Sequence, residues 1–177
     1  MIVYLDNIIF SLQPSGCECS RQWAIMIRHL LPIPDVKLRF IEYRNACDND
    51  ERSLLDLARR GHLYFMRNLW LTRYLAVRID GYDGKPFIFH SSGYRICDNP
   101  WAVNIITVND DFKPTYHRLM SLRRCDLITC TSRQVLSLLP ADCKHKATIV
   151  STKKSNKNIA LFNLKAYRMA IRRHGNK

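Results

Sequence analysis

The chain predicts a doubly wound α/β domain, a parallel sheet with helices on both faces. Three observations predict it. Short apolar runs alternate with amphipathic helical stretches along most of the chain, which is the pattern of strands joined by crossover helices. At 177 residues, 47% of them apolar, the chain is the size of one domain and can bury a core of its own. Ala102 to Asp111 (A-V-N-I-I-T-V-N-D-D) places Val103, Ile105, Ile106 and Val108 in a β-branched run suited to a strand covered on both faces, then stops on three polar residues. In open α/β sheets ligands bind outside the carboxyl ends of the strands. Asn109, Asp110 and Asp111 therefore suit a binding turn as well as an ordinary helix cap.

Taken in order, Ile2 to Phe10 predicts a first strand, and Pro14 and Gly16 predict a turn after it. Trp23, Met26, Ile27 and Leu30 form one helical stripe, ended by Pro32 and Pro34. Val36 to Glu42 alternates with period two and predicts a second strand. Ser53 to Arg60 predicts a short helix with Leu54, Leu57 and Ala58 on its inner side, closed by Gly61. In Leu63 to Ile79, Met66, Leu69, Trp70, Tyr74 and Val77 predict a helix that buries its aromatics and wets Arg67, Arg73 and Arg78.

Beyond the turn Gly81 to Lys85, a third strand is expected over Pro86 to His90, followed by the central strand. Lys113 to Arg124 predicts a helix with Tyr116, Leu119 and Met120 inward. Leu127 to Cys130 predicts a strand, and Ser132 the N-cap of a helix running to Leu139 and stopped by Pro140. Ala147 to Val150 and Phe162 to Arg173 predict a last strand and a last helix, the latter with Leu161, Leu164, Tyr167 and Ile171 as its apolar stripe.

Charge and cysteine usage narrow the setting. The net charge is +13, and residues 144–177 carry ten Lys or Arg with no Asp or Glu. Such an end suits anionic lipid, nucleic acid, or simply a solvated helix face. No nucleic-acid recognition motif accompanies it, which makes nucleic acid the weaker partner. The N-terminus carries Asp6 and no basic flank, unlike a signal peptide, and the seven cysteines are odd in number and scattered. Reduced thiols in a cytoplasm are expected.

Four candidate sites follow from residue chemistry. Pro14-Ser15-Gly16 precedes a helix, where backbone amides hold phosphate well, yet Ser15 and Glu18 have capping-box spacing that would put a carboxylate there. Cys17-Glu18-Cys19 offers two thiols, but no second Cys or His pair stands at a metal-binding spacing, so no metal is expected. His90, at a strand end before S-S-G-Y-R, suits either a general base or a hydrogen-bonded core histidine. The fourth is the turn Asn109 to Asp111, where asparagine cannot take a proton.

The order of these motifs resembles the N-terminal half of bacterial family 4 glycosyltransferases. It comprises a first strand, Pro14-Ser15-Gly16 before a helix, F-I-F-H-S-S-G-Y-R, N-I-I-T-V-N-D, and D-L-I-T-C-T-S before another helix, over about residues 1–143. The resemblance implies the N-terminal Rossmann-like half of a two-domain GT-B enzyme, over residues 1–150. Residues 151–177 are expected to form a separate basic, helical segment. It implies sugar transfer from a nucleotide-sugar to a glycan or lipid-linked acceptor in polysaccharide synthesis, with no cofactor. Carried over by position, Gly16 and Ser15 would face donor phosphates, and His90, Ser91 and Tyr94 would line the acceptor cleft. Asn109 stands where the family has a catalytic histidine, followed by Asp110.

Two departures accompany the resemblance. Cys17 replaces the second glycine of P-S-G-G, and Asn109 replaces the histidine of T-V-H-D. The family's donor-binding domain is not among these 177 residues, so the chain alone is expected to be inactive and to need a partner polypeptide for the donor half. Membrane-associated relatives suggest attachment of the basic end to the inner face of an anionic membrane. The alternative from another class is a non-catalytic basic module for anionic lipid or nucleic acid.

Overall fold

The computed structural model describes residues 1–43, 48–55, 62–65, 73–80, 84–150 and 156–174. The strands are β1 (Ile2–Asp6), β2 (Lys37–Tyr43), β3 (His62–Phe65), β4 (Phe87–Ser91), β5 (Ala102–Val108), β6 (Leu127–Cys130) and β7 (Ala147–Ile149). The helices are α1 (Ile9–Leu12), α2 (Glu18–Leu30), α3 (Asp50–Ser53), α4 (Tyr116–Arg124), α5 (Arg133–Leu138), α6 (Ala141–Lys144) and α7 (Asn156–His174). The strands form one parallel sheet in the order β3-β2-β1-β4-β5-β6-β7. Winding runs outward from β1 to β3, then returns to β4 on the other side of β1 and proceeds to β7. This is the Rossmann-like arrangement that the alternation of elements predicts, with its reversal between β1 and β4.

Side-chain alternation divides the strands between two covered faces. Val3, Leu5, Ile88, Val103 and Ile105 pack with α2 and α7 in the largest apolar cluster. On the opposite face Ile106, Val108, Ile128 and Cys130 meet Leu122 of α4, Val135 of α5 and Cys143 of α6. Beside them Tyr4, Phe87 and Phe89 pack with Val77 and Ile79. Burial on both faces is why β5 is apolar without a polar alternation: Val103, Ile105, Ile106 and Val108 are wholly enclosed.

Helix α2 buries the stripe its spacing predicts, Trp23, Met26, Ile27 and Leu30. Helix α7 starts at Asn156, earlier than Phe162, and packs along α2 as part of the same core. Its buried face is Ile159, Ala160, Leu164, Ala166, Tyr167 and Ala170, while Leu161 is 45% exposed. The predicted stripe is thus rotated. Alanines allow close approach to α2, and the hydroxyl of Tyr167 is held at His90 inside the fold.

Several other expectations are corrected. The first strand ends at Asp6, and Ile9–Leu12 forms a helical turn instead of continuing to Phe10. Of the helix expected over Ser53 to Arg60, Ser53 is the last residue of α3, Leu54 is 70% exposed and Leu55 is buried; residues 56–61, with Leu57, Ala58 and Gly61, lie outside the described residues. Leu63 to Ile79 is not one helix. Residues 62–65 form β3, with Tyr43 opposite Phe65 in the pairing with β2, and Val77 bridges Cys97. Met66, Arg67, Leu69 and Trp70 lie outside the described residues. In α4, Tyr116 (81% exposed) and Met120 face outward while Ser121 and Leu122 are buried, because the helix starts at the Thr115 cap and is phased by Leu122.

Candidate functional site

The carboxyl ends of β1, β4 and β5 meet at the reversal of winding, and a cavity of about 180 Å3 opens there. Its wall includes Gln13 after β1, Ser92 to Tyr94 after β4, Asn109 and Asp111 after β5, and the first turn of α4. The general rule for open α/β sheets puts the ligand site in this crevice.

A buried latch holds two of these turns together. Arg95 donates from Nε to Asp6 Oδ2 at 2.9 Å, pairs through Nη2 with Oδ1, and donates from Nη1 to Tyr43 Oη at 2.9 Å. Both members of the ion pair are buried. Burial opposes the charge on Arg95, but the Asp6 carboxylate beside it holds its pKa above the ordinary value. Ser91 Oγ donates to Asp6 Oδ2 at 2.8 Å and accepts from the amides of Gly93 and Arg95. Ser92 Oγ donates to the Asp6 carbonyl and accepts from the Ile9 amide. Gly93 is required by closeness, since a Cβ there would lie 2.3 Å from Ile8 Cγ2. The turn then delivers Tyr94 with φ 61 into the cavity wall.

His90 sits one layer below. Its ring is fully buried between Trp23 and Tyr167, with Nδ1 at 2.6 Å from Tyr167 Oη and Nε2 at 2.7 Å from Thr107 Oγ1. Thr107 continues to Thr129 Oγ1 at 2.8 Å. Burial pushes the His90 pKa down to about 3, so it is a neutral imidazole that ties α7 to the sheet. The structure places neither His90 nor Ser91 in the cavity wall, and it brings Tyr94 and Asn109 together there.

The turn before α2 is closed from within. The Gly16 amide donates to Glu51 Oε1 at 2.8 Å, and Ser15 Oγ accepts from the Asp50 amide at 3.0 Å. A carboxylate thus occupies the position where an anion would meet Gly16. It is Glu51 of α3, not Glu18, which instead binds Arg21 and Gln22 on its own helix, and Cys17 takes the N-cap position without a side-chain cap. The expected Ser15–Glu18 capping box is corrected accordingly.

After β5, the three polar residues separate. Asp110 Oδ1 accepts from Ser132 Oγ at 2.8 Å, joining the turn to the cap of α5, where Ser132 accepts from the Val135 amide as predicted. Asn109 and Asp111 face the cavity, and no side-chain hydrogen bond engages either among the described residues.

The same cavity also carries cationic groups. Arg118 lies over the Tyr94 ring at 4.8 Å, Arg73 over the Tyr74 ring at 4.6 Å, and Tyr74 meets His117 edge-on at 4.9 Å. Burial first, then the charges of Arg118 and Arg73, lower the pKa of His117. Nε2 of His117 is buried without a hydrogen-bond partner. Across the cavity Cys19 is pushed up to about 12 by burial and then by the Asp111 charge, so it is an unreactive thiol at neutral pH. The six described cysteines are all unpaired.

The sequence reading missed Asp6, Glu51, Arg73, His117 and Arg118. A charged residue at the end of an apolar strand was the visible signal for Asp6, whereas nothing local marks the others. No helix among the described residues is long and apolar enough to cross a membrane. No protein-family model, curated protein or solved structure matches this chain.

Proposed function

We propose that this chain is the acceptor-side half of a glycosyltransferase of the GT-B type, acting on a glycan or lipid-linked acceptor, with a nucleotide-sugar bound mainly by a second half outside these residues. The observation that carries the reading is the convergence of the Ser92–Tyr94 and Asn109–Asp111 turns on one cavity at the winding reversal. These are the motifs on which the family resemblance rests. The closure of Gly16 by Glu51 supports the view that the chain by itself does not grip donor phosphates. Tyr74, which lines the cavity and is 45% exposed, and Leu75 and Tyr116, which adjoin lining residues in sequence and are 56% and 81% exposed, provide apolar surface for a second half to cover.

The test joins the chain to the donor-side domain of a family 4 transferase and measures sugar transfer from nucleotide-sugars to a panel of acceptors. Transfer that needs both halves is expected, with none from the chain alone. Turnover by the isolated chain, or silence in every pairing while the fold is intact, counts against the reading.

A second reading, a basic module on an anionic membrane, is favoured by one observation. Lys165, Arg168, Arg172 and Arg173 of α7 share a shallow groove, and Arg173 continues to Arg123, Arg124 and Lys146 at the end of the sheet away from the cavity. Each cation close to such a surface contributes about 1 kcal/mol. Flotation with vesicles of graded anionic content tests it, and the absence of binding at low salt removes it.

A further inference from the structure

The cavity lining mixes two kinds of group, and they call for different parts of one ligand. Three sources of positive potential meet at the cavity. Arg118 and Arg73 both line it, and α4 opens there with Thr115 as its cap, so the positive end of a nine-residue helix points the same way. His117, on the same turn, also lines the cavity, and its Nε2 is buried without a hydrogen-bond partner. The lining also carries the Asn109 amide and the Asp111 carboxylate, which suit hydroxyl groups and repel a second negative charge. At about 180 Å3 the space is below the ~300 Å3 at which drug-sized pockets begin, which limits the bound portion to about a single ring.

We propose that the cleft takes a small polyol bearing one anionic group, a sugar phosphate or a sugar carboxylate, with the anion at Arg118, Arg73 and His117 and the hydroxyls at Asn109 and Asp111. The assignment deepens the acceptor-side reading and rests on it for the word acceptor, but the binding itself needs no transfer. Arginine suits the anion because its planar donors engage phosphate or carboxylate oxygens in pairs. Asp111 excludes ligands with charge at both ends.

Calorimetric titration of the 177-residue chain with glucose 1-phosphate, glucuronate and glucose tests the assignment, and the first two separate phosphate from carboxylate. At least one anionic sugar is expected to bind at least tenfold more tightly than glucose. R118Q should weaken that binding about tenfold, R118K should recover part of it, and D111N should narrow the difference between mono- and diphosphate ligands. Replacing Lys165 and Arg172 by Gln, which removes positive charge far from the cavity, should leave it unchanged. Equal affinity for charged and neutral sugars, indifference to R118Q, or no binding of any probe overturns the assignment. If binding follows the expected pattern while no donor half gives transfer, the anion site stands and the transferase reading falls. Transfer to neutral acceptors that ignores R118Q does the reverse.

Discussion

The turns that follow β4 and β5 lie side by side and are equally polar, yet they use their polar groups in opposite ways. After β4, Ser91, Ser92 and Arg95 are buried and spent on Asp6, and His90 beneath them is spent on Tyr167 and Thr107. After β5, only Asp110 is engaged by a neighbouring turn, while Asn109 and Asp111 are left to the cavity. The difference teaches that a dense polar motif at a strand end is not by that fact a binding motif. Buried polar groups must be satisfied, and the ones that satisfy each other build the wall on which others stand.

The sharpest way to break this comparison is to remove one member of the latch. Arg95→Met leaves the Asp6 carboxylate buried without its ion-pair partner and is expected to cost about 3 to 5 kcal/mol, measured by urea denaturation. A loss below about 1 kcal/mol would place Arg95 with the dispensable residues of the β5 turn.

His90 gives the next effect, and its sign follows from its depressed pKa. Between its ordinary 6.5 and about 3, the unfolded chain binds a proton that the folded chain refuses, so stability falls as pH falls through that window. From pH 6.5 to pH 5 the loss assigned to His90 is roughly 1.5 kcal/mol. His90→Gln, which keeps a hydrogen-bonding side chain, should flatten that part of the pH profile relative to the wild type. Parallel profiles for the two proteins would show that His90 titrates normally and is less enclosed than its contacts indicate.

Glu51→Gln probes the closed turn before α2. It keeps the shape but removes the charge beside Gly16, so a stability change of less than about 1 kcal/mol is expected. Affinity for inorganic pyrophosphate should rise, since the amide no longer faces a carboxylate. Unchanged pyrophosphate binding would mean that Glu51 does not guard the position.

The smallest effect belongs to the open turn. Asn109→Ala and Asp111→Asn should each leave the unfolding midpoint within about 0.5 kcal/mol of the wild type, because neither side chain holds anything in place. A large destabilisation at either position would erase the contrast between the two turns.

Local chemistry made much of the scaffold legible. The stripe of α2, the β-branched run of β5 and the Ser132 cap are decided by residues within a turn or a strand of one another, and each appears as its spacing predicts. The phase of α7 and α4 was not legible, because it depends on which neighbour each helix meets. Alanines against α2 and Tyr167 reaching His90 rotate α7, and Leu122 with the Thr115 cap turns Tyr116 outward. Residues 62–65, at the start of the stretch expected to be helical, form a sheet edge instead by pairing with β2.

The same division holds at the cavity. By itself the sequence determined an α/β chain with polar turns after its central strands, because periodicity and turn chemistry act over a few residues. Which polar side chains of those turns are left facing the cavity was decided by tertiary structure alone. The choice rests on partners far away in sequence: Asp6 for Arg95, Glu51 for Gly16 and Ser132 for Asp110. A polar side chain is available for binding only when folding leaves it without such a partner, and that is a property of the assembled surface rather than of any segment.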